Sequence, residues 1–539
     1  MSIGIRPVEL ARERLPADSR DKDNARSSCM RFNHRNSLST HSYSHFGGSS
    51  AVSLLICFGL AGWTLMQGQK HGARAGMWIG WIVALILCPA WMIKWIGPAS
   101  LDPRMCAAGA GLLLIFTSNQ KPSIKITLMD ICFLGFFFVN IVSQQVNNDL
   151  TAGTILAFVR RWVFPYLVGR FFISKHDDLE KLIPYFAKFL LICSILAIVE
   201  AVSQKNWVNF LLGKSFYILD NTSEGFRWGM KRAHGNTEHP IYFGLMMVML
   251  LPWGIEAGRA AIQKRGPKWW KAVPVLMFIA IVVTVSRGAQ IASVICFIVA
   301  FFFRKPKWRV IIIIGAIVMG LGKDAIKDTA MSILSKAAGE EQHEEKWVPI
   351  NGEEYLYTGT KHRMLLFIAY ERGIDNAGWF GYGAAMKKVP VYEDAAERFS
   401  SIDCHYLVLL LQHGWGGIYT FCGMLFLSII YAALSAWRTD AWSAHITGAM
   451  CGSMIAVGIL MLSAFFHPHY GGVFMFCCGF LACVRAMSNQ TIAPDNDEED
   501  TDNASEMVDS DGGNQRRVNR RRATPGHAPV RVWKLDDHS

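Results

Sequence analysis

Charged residues are scarce in this sequence. Only 18% of its 539 residues are Asp, Glu, Lys or Arg, whereas 52% are hydrophobic. In soluble proteins about a quarter of the residues are charged. The shortage is concentrated in residues 51–320 and 403–487, where long apolar runs follow one another. These two regions are therefore predicted to lie in a membrane rather than in water.

Signatures of several soluble enzyme classes are also absent. The sequence has no P-loop, no dinucleotide-binding fingerprint and no His-Glu-x-x-His zinc motif, and residues 51–487 contain no Asp-x-Asp pattern. An ATPase, a zinc protease and a soluble enzyme that uses nucleotide sugars are therefore unsupported. The 13 cysteines show no disulfide framework, since nearly all lie inside apolar runs, and they are expected to be free and buried. No cleavable signal peptide is evident, because the first 50 residues are polar.

The apolar runs are the dominant feature that is present. A helix that crosses a bilayer needs about 20 apolar residues, and only helices or closed barrels satisfy their backbone in lipid. The runs are continuous and do not alternate as the strands of a barrel would. They predict an all-α, polytopic transmembrane helix bundle over residues 51–487, between two disordered tails at 1–50 and 488–539.

Basic loops predict the orientation of this bundle. Loops 259–271 and 304–309 are rich in Lys and Arg, which collect on the cytoplasmic side. The N-terminal tail carries eight Lys and Arg. With both tails inside, the thirteen candidate runs reduce to about 12 spans, and one run within the first 120 residues is then not a span of its own. The net charge of +12 is explained largely by such loops, so no nucleic acid is predicted as a partner. The basic segment Arg516–Arg522 is either a contact for anionic lipid headgroups or a solvated tail.

Two long polar loops face outward in this topology, at about 203–240 and about 323–402. Loops of such length in a compact protein are usually functional. The second loop contains the amphipathic stretch Met364–Tyr370 and is expected to fold as short helices over the outer mouth of the bundle.

Charged groups at membrane edges are candidate site residues, because burying them is costly. The end of the first outer loop is basic and runs into a helix start at Pro240, a combination that favours anion binding. It contributes Arg232, His234 and His239. Arg287, in the sequence Ser-Arg-Gly, is either an arginine that reaches the headgroups or a bidentate phosphate ligand. Arg363 opens the amphipathic stretch and precedes Gly381-Tyr382-Gly383, a candidate turn.

Histidines near the second long loop are further candidates. His405 lies where the loop meets a long apolar run, and it is either a helix cap or a general base. His413 follows two turns later. His467 and His469 favour a turn over a metal site, because no cysteine or carboxylate partner is near.

Arg160, Arg161 and Arg170 are buried or edge charges whose role the sequence leaves open. Each could contact phosphate, or pair with Asp149 or with the carboxylates at 177 and 178.

In combination, these motifs resemble the O-antigen ligase/polymerase superfamily of bacterial membrane proteins over about residues 150–440. The resemblance rests on their order: Arg232-Ala233-His234-Gly235 with His239-Pro240, then Ser286-Arg287-Gly288, then Arg363 and Gly381-Tyr382-Gly383, then Ile402-Asp403-x-His405-Tyr406-Leu407 and His413-Gly414-x-Gly416-Gly417.

The resemblance implies a GT-C-like, metal-independent glycosyltransferase that uses no cofactor and no nucleotide sugar. It would take a glycan from undecaprenyl pyrophosphate on the outer, periplasmic face of the bacterial inner membrane and pass it to the hydroxyl of an acceptor glycan. Carried onto this chain, His405 is the catalytic residue, and Arg232, Arg287 and Arg363 hold the pyrophosphate, with His234 and His239 in the same binding loop.

The segment Ile402–Leu407 resembles exopolysaccharide or capsule polymerases more than lipid A-core ligases. Many ligases have Asn directly after the catalytic histidine, where this sequence has Tyr406. A repeat-unit polymerase is the leading hypothesis, with a chain-length regulator and a flippase as candidate partners beside the lipid bilayer. The alternatives are ligation to lipid A-core or to another acceptor and, in a different class, a transporter. Transporters often show repeated halves and broken helices near the midplane. Here no convincing internal repeat is seen, and the charges cluster at the outer edge rather than at the centre.

Overall fold

The structure is a computed structural model. It describes residues 50–89, 92–96, 99–118, 125–211, 226–227, 229–304, 309–314, 346–357, 362–386, 388–396, 399, 402–438, 443–465 and 468–488. The predicted disordered tails therefore lie outside the described residues, apart from Ser50 and Ser488, which lie in helices.

Helices make up most of the described chain. They are α1 (Ser50–His71), α2 (Ala73–Ile86), α3 (Pro103–Thr117), α4 (Leu128–Val146), α5 (Ala152–Phe158), α6 (Phe164–Arg170), α7 (His176–Ser203), α8 (Trp207–Leu211), α9 (Pro240–Ile262), α10 (Ala272–Val282), α11 (Arg287–Arg304), α12 (His362–Ala369), α13 (Glu371–Asp375), α14 (Glu393–Ala396), α15 (His405–Arg438), α16 (Ser443–Leu460) and α17 (Pro468–Ser488). A π-helical turn, Val159–Val163, joins α5 to α6, and a 3₁₀ turn, Lys268–Lys271, precedes α10.

The described strands form three short antiparallel hairpins. They pair β1 (Lys94–Ile96) with β2 (Ala99–Leu101), β3 (Phe226–Arg227) with β4 (Met230–Lys231), and β5 (Lys346–Ile350) with β6 (Glu353–Tyr357).

The helices form a membrane bundle. Seven described helices are long and apolar enough to cross a bilayer, namely α1, α4, α7, α9, α11, α15 and α17, and α2, α3 and α16 are shorter apolar helices. Large apolar side chains such as Leu55, Phe138 and Phe426 lie exposed on the outside, as expected of a surface in contact with lipid rather than water. The predicted all-α polytopic fold is confirmed.

The described part of the first 120 residues holds three helices, and each apolar run predicted there contributes one of them. Helices α1 and α2 are joined by Gly72 alone and pack antiparallel. A Cβ atom on Gly76 would lie 2.5 Å from the Gly68 backbone, and one on Gly80 would overlap the Thr64 side chain. Small residues thus let the two helices approach closely, as is common between membrane helices.

Helix α6 and helix α17 are in close backbone contact. Added Cβ atoms would overlap the Phe476 carbonyl at Gly169 and the Tyr166 carbonyl at Gly479. Nearby, Arg170 pairs with Asp130 at 3.1 Å, and Tyr166 donates to the same carboxylate at 2.7 Å.

Arg160, in the π-helical turn, pairs with Asp102 at 3.2 Å. The structure thus gives Arg160 and Arg170 partners that the sequence did not suggest. Each carboxylate caps the start of a helix, Asp102 that of α3 and Asp130 that of α4, so these ion pairs connect helices of the bundle.

The second long loop has a core of its own. Buried residues of β5, α12 and α14 pack with Cys404, Leu407 and Leu411 at the start of α15. The expected short helices are present as α12, α13 and α14, and a hairpin that the sequence analysis did not anticipate accompanies them. Its turn is Asn351-Gly352, with φ values of 56° and 78°, a pair typical of a two-residue hairpin turn.

All described cysteines are free, and nine of the twelve are buried. This agrees with the expectation from their position in apolar runs.

Candidate functional site

The basic loop before α9 lies on the turn before α11. The Ala233 amide donates to the Val283 carbonyl at 3.0 Å. Nε of Arg232 donates to the Thr284 carbonyl at 3.2 Å, and Arg227 donates to the Val285 carbonyl at 3.4 Å. Two motifs that are about 55 residues apart in sequence therefore form one structural unit.

The turn that receives these bonds is strained. Val285 is buried and has φ 48°, a conformation that is unfavourable for a β-branched residue. Such strain persists only where the surroundings hold it in place, and here Arg227 and Arg232 bind the adjacent carbonyls. The turn ends at Ser286, whose carbonyl accepts the amide of Gln290 at 3.0 Å. Arg287 is thereby fixed as the first residue of α11.

Arg227 joins Arg232 and Arg287 in a cationic cluster. Burial lowers the pKa of Arg227, and the charge of Arg287 lowers it further. Arg227 was part of the basic stretch but was not among the predicted site residues. Arg227 lies two residues before Gly229, in a short hairpin that turns the chain back toward Arg232. This position could not be inferred from the pattern of charges alone.

His234 maintains the shape of the loop. Its Nδ1–H donates to the Thr237 carbonyl at 2.9 Å, and its Nε2 lies 3.3 Å from the Glu200 carboxylate. The other oxygen of Glu200 accepts the Gly235 amide at 2.9 Å. His234 is only 2% exposed. The side chain of this predicted substrate-binding residue therefore lies inside the loop, where it holds the backbone that carries the arginines.

His239 caps helix α9. Its Nδ1 accepts the Ile241 amide at 3.1 Å, and Pro240 occupies the first helical position. Burial lowers the pKa of His239 to about 4, and the charges of Arg232, His234 and Arg227 act in the same direction. The imidazole is therefore neutral at neutral pH and available as an acceptor.

This depressed pKa makes stability depend on pH. Below about pH 6.5 the unfolded chain takes up a proton at residue 239 that the folded chain does not, so the folded state loses stability as the pH falls toward 4. We expect His239→Asn, which keeps a capping oxygen, to reduce the fall in melting temperature of the detergent-purified chain over this range. The control is His71→Asn, a change at an exposed histidine at the end of α1. Parallel curves for His239→Asn and the unchanged chain would contradict the assignment.

His405 begins α15 at the same end of the bundle as Arg287. Its amide donates to the Met461 carbonyl at 2.9 Å, just after the end of α16. A Cβ atom on Gly288 would lie 3.0 Å from the neighbouring Leu460 side chain. The first residues of α11 and α15 therefore both lie against residues 460 and 461. We call this end of the bundle, where α9, α11 and α15 begin, the site end.

The imidazole of His405 is held among aromatic rings. Its centroid lies 5.2 Å from that of Phe421 and 5.9 Å from that of Phe465, both in edge-on contact. The residue is 3% exposed. This packing fixes the orientation of the ring at the site end.

Arg363 lies close to the residues that precede His405. Burial lowers the pKa of His362, and the charge of Arg363 adds to this effect while that of Asp403 opposes it. The same arginine opposes the rise that burial causes in the pKa of Cys404. The second long loop thus brings the third predicted arginine to the site end.

His413 marks a kink in α15 that the sequence analysis did not foresee. Gly414 has φ 64° and ψ −164°, a conformation essentially restricted to glycine. The kink breaks the helical bonds from the amides of residues 415 and 416 to the carbonyls of residues 411 and 412. The loop 378–383 replaces them, since Gly378 and Trp379 accept from the two amides and Tyr382 and Gly383 donate to the two carbonyls, all at 2.8–3.1 Å.

The imidazole of His413 is bound within the bundle. Its Nε2 lies 3.0 Å from the Asn140 amide nitrogen of α4, and Asn140 accepts a bond from Gln144 at 2.6 Å. In the sequence, the glycines that follow His413 were the only available signal for the kink. Gly381 and Gly383 both have positive φ. Gly381 lies against the kink, and the Gly383 amide donates to the Gln412 carbonyl.

The site end is electrostatically positive. Three helix N-termini meet there, and each contributes the positive end of a helix dipole. The arginines at positions 227, 232, 287 and 363 add full charges. Such an arrangement can bind a polyanion such as a diphosphate.

Within the described residues, no group of three or more His, Cys, Asp and Glu side chains is arranged to hold a metal ion. His467, half of the candidate histidine pair, lies outside the described residues.

Part of the chain is similar to a known protein family. Residues 272–422 match the model of a protein family described as O-antigen ligase. The match includes Arg287, Arg363 and His405 but not the loop around Arg232. No curated protein matches the chain. The predicted resemblance is thus confirmed over residues 272–422, where the chain is similar to the O-antigen ligase family.

Proposed function

We propose that the chain is a membrane glycosyltransferase that extends or transfers glycans carried on undecaprenyl pyrophosphate, and specifically a polymerase of exopolysaccharide, capsule or O-antigen repeat units. The family match gives a membrane glycan ligase- or polymerase-like role. The donor and the polymerase activity belong to the proposal, as do a periplasmic site in the bacterial inner membrane and the candidate partners, a flippase and a chain-length regulator.

One observation carries the proposal: arginines from separate segments gather at the end of the bundle where His405 begins α15. A diphosphate headgroup at the end of a lipid chain would lie at the membrane surface, level with the site end of the bundle. Guanidinium groups bind phosphate oxygens through two parallel hydrogen bonds. The apolar bundle around them lowers the local dielectric and strengthens the attraction.

The reaction follows from these groups. The acceptor hydroxyl attacks the anomeric carbon of the donor sugar, and its proton passes to His405. The bond between that carbon and the phosphate oxygen breaks, and its electron pair stays on the diphosphate. The negative charge that develops there is stabilised by arginines already in place, which requires little reorganisation.

Transfer to a glycan or to lipid A-core uses the same steps and differs only in the acceptor. We propose the glycan acceptor because the residues around His405 have the form Ile-Asp-x-His-Tyr-Leu. Tyr406 donates to the Gly458 carbonyl at 2.7 Å, and this bond ties the residue after His405 to α16.

The test is Arg287→Lys in the purified full-length chain, assayed with a lipid-pyrophosphate-linked repeat unit. An ammonium group keeps the charge but loses the bidentate fork. We expect kcat/KM to fall about tenfold, equivalent to roughly 1.4 kcal/mol of transition-state stabilisation. The matched control is Arg485→Lys, which changes a partly buried arginine near the C-terminal end of α17.

Unchanged turnover of Arg287→Lys would overturn the pyrophosphate assignment. Separate reactions offered a lipid-linked glycan or lipid A-core as acceptor distinguish the polymerase from the ligase. Product formed only on lipid A-core would replace the polymerase with the ligase.

A further inference from the structure

A cavity of about 180 Å³ lies between α9, α10, α11 and the start of α16, far from the site end. Its lining includes Arg304, the last residue of α11, whereas Arg287 begins that helix. Eighteen residues of helix span about 27 Å at 1.5 Å per residue, close to the hydrocarbon thickness of a bilayer. The cavity therefore lies at the opposite membrane boundary.

The polar lining of this cavity is predominantly basic. Arg259, Lys271, Arg304 and His445 contribute to it, and Glu256 is the acidic member of the lining. Glu256 is neutralised within the protein, since its carboxylate lies 3.6 Å from Arg259 and 3.5 Å from Arg265. The net character of the lining is cationic.

Arg259 is the buried basic side chain among the described residues that line the cavity. Its side chain is 7% exposed, and among the described residues its Nε has no hydrogen-bond acceptor. A buried guanidinium nitrogen without an acceptor is costly. An anionic oxygen in the cavity would supply what is missing.

The rest of the lining is apolar. Pro274, Phe297, Ala300 and Phe301 form a wall beside the basic groups, and Phe301 is 40% exposed on the outside of the bundle. Trp269, 44% exposed, lies next to this region in the 3₁₀ turn, as aromatic residues do at a membrane interface. A free anion would not use such a wall, but an acyl chain would.

We propose that this cavity binds an anionic glycerophospholipid, with its phosphodiester among Arg259, Lys271 and Arg304 and an acyl chain along Phe297 and Phe301. Basic pockets between membrane helices recognise acidic headgroups in this way. The site is separate from the proposed glycan chemistry and does not depend on it.

The experiment titrates the delipidated, full-length chain in neutral detergent with phosphatidylglycerol, phosphatidylcholine or inorganic phosphate, and follows the melting temperature. We expect phosphatidylglycerol alone to raise it. Lys271→Gln with Arg304→Gln should weaken the apparent affinity roughly thirtyfold, the equivalent of about 1 kcal/mol for each lost charge. Both side chains are exposed, so these changes leave the buried ion pairs intact.

Two further variants complete the test. Lys264→Gln with Lys268→Gln removes the same charge from exposed positions outside the lining, and binding should be unchanged. Ala300→Phe fills the apolar wall and should weaken binding without removing a charge. Equal affinity of the Lys271/Arg304 variant and the unchanged chain would overturn the proposal, as would the same effect from phosphatidylcholine or from inorganic phosphate.

Discussion

The His405→Ala chain should reach the membrane at normal abundance and extend lipid-linked glycan roughly 10²–10⁴-fold more slowly, the range that general acid–base catalysis contributes. The acceptor hydroxyl loses the group proposed to take its proton. The arginines that hold the leaving diphosphate remain, so donor binding should change much less than turnover.

The measurement is the length distribution of surface glycan in a strain that lacks the gene and carries the variant, followed by turnover of purified protein. Since His405 is 3% exposed and packed between aromatic rings, alanine would also leave a cavity. His405→Gln fills that space without a basic imidazole and should show the same loss. The control His71→Ala changes an exposed histidine.

Full-length polymer at normal abundance from either His405 variant would remove this residue from the mechanism. Loss of turnover together with loss of membrane abundance in both variants would instead assign His405 a structural role.

Gly414→Ala is expected to be the most destabilising single-methyl change in the second half of the chain. Its backbone conformation costs an L-residue about 1–3 kcal/mol. The new Cβ would also lie 2.5 Å from the Gly378 carbonyl oxygen and from the Phe380 amide. The loop would have to withdraw, leaving backbone groups of α15 without partners, at several kcal/mol each in a lipid environment.

The melting temperature and the glycan-extending activity should therefore both fall sharply. Gly109→Ala in α3 is the matched control, because a Cβ there meets no atom within 4 Å. Alanine in a helix should leave stability unchanged or slightly raise it. A Gly414→Ala chain as stable as the Gly109→Ala chain would show that the loop and the kink are not coupled.

The bundle was largely predictable because membrane helices must satisfy their own backbone and face lipid, which produces long apolar runs. The helix ends near Arg287 and His405 followed from the same signal. The β5–β6 hairpin was not predicted, although Asn351-Gly352 is a strong local turn signal. The second long loop was expected to form only short helices over the outer mouth of the bundle.

Long-range partners could not be predicted. Glu200 lies 34 residues before His234, and Asn140 lies 273 residues before His413. No local pattern reveals which helices are neighbours. For the same reason the contact of His234 with Glu200 was not anticipated. The substrate-binding role of His234 stays a prediction. Arg232, Arg287 and Arg363 were predicted as site residues from charge at a membrane edge, a signal that needs no knowledge of neighbours. Their role in binding stays a prediction.

The backbone exchange between α15 and residues 378–383 bears on how this domain can diversify. A surface segment about 30 residues away in sequence supplies the hydrogen-bond partners of two carbonyls and two amides of a membrane helix. A chimera that takes the helix from one homologue and the segment from another would combine halves of one hydrogen-bonding unit. Recombination between relatives should therefore transfer both together, whereas the exposed tip at Asn351-Gly352 can vary in length independently.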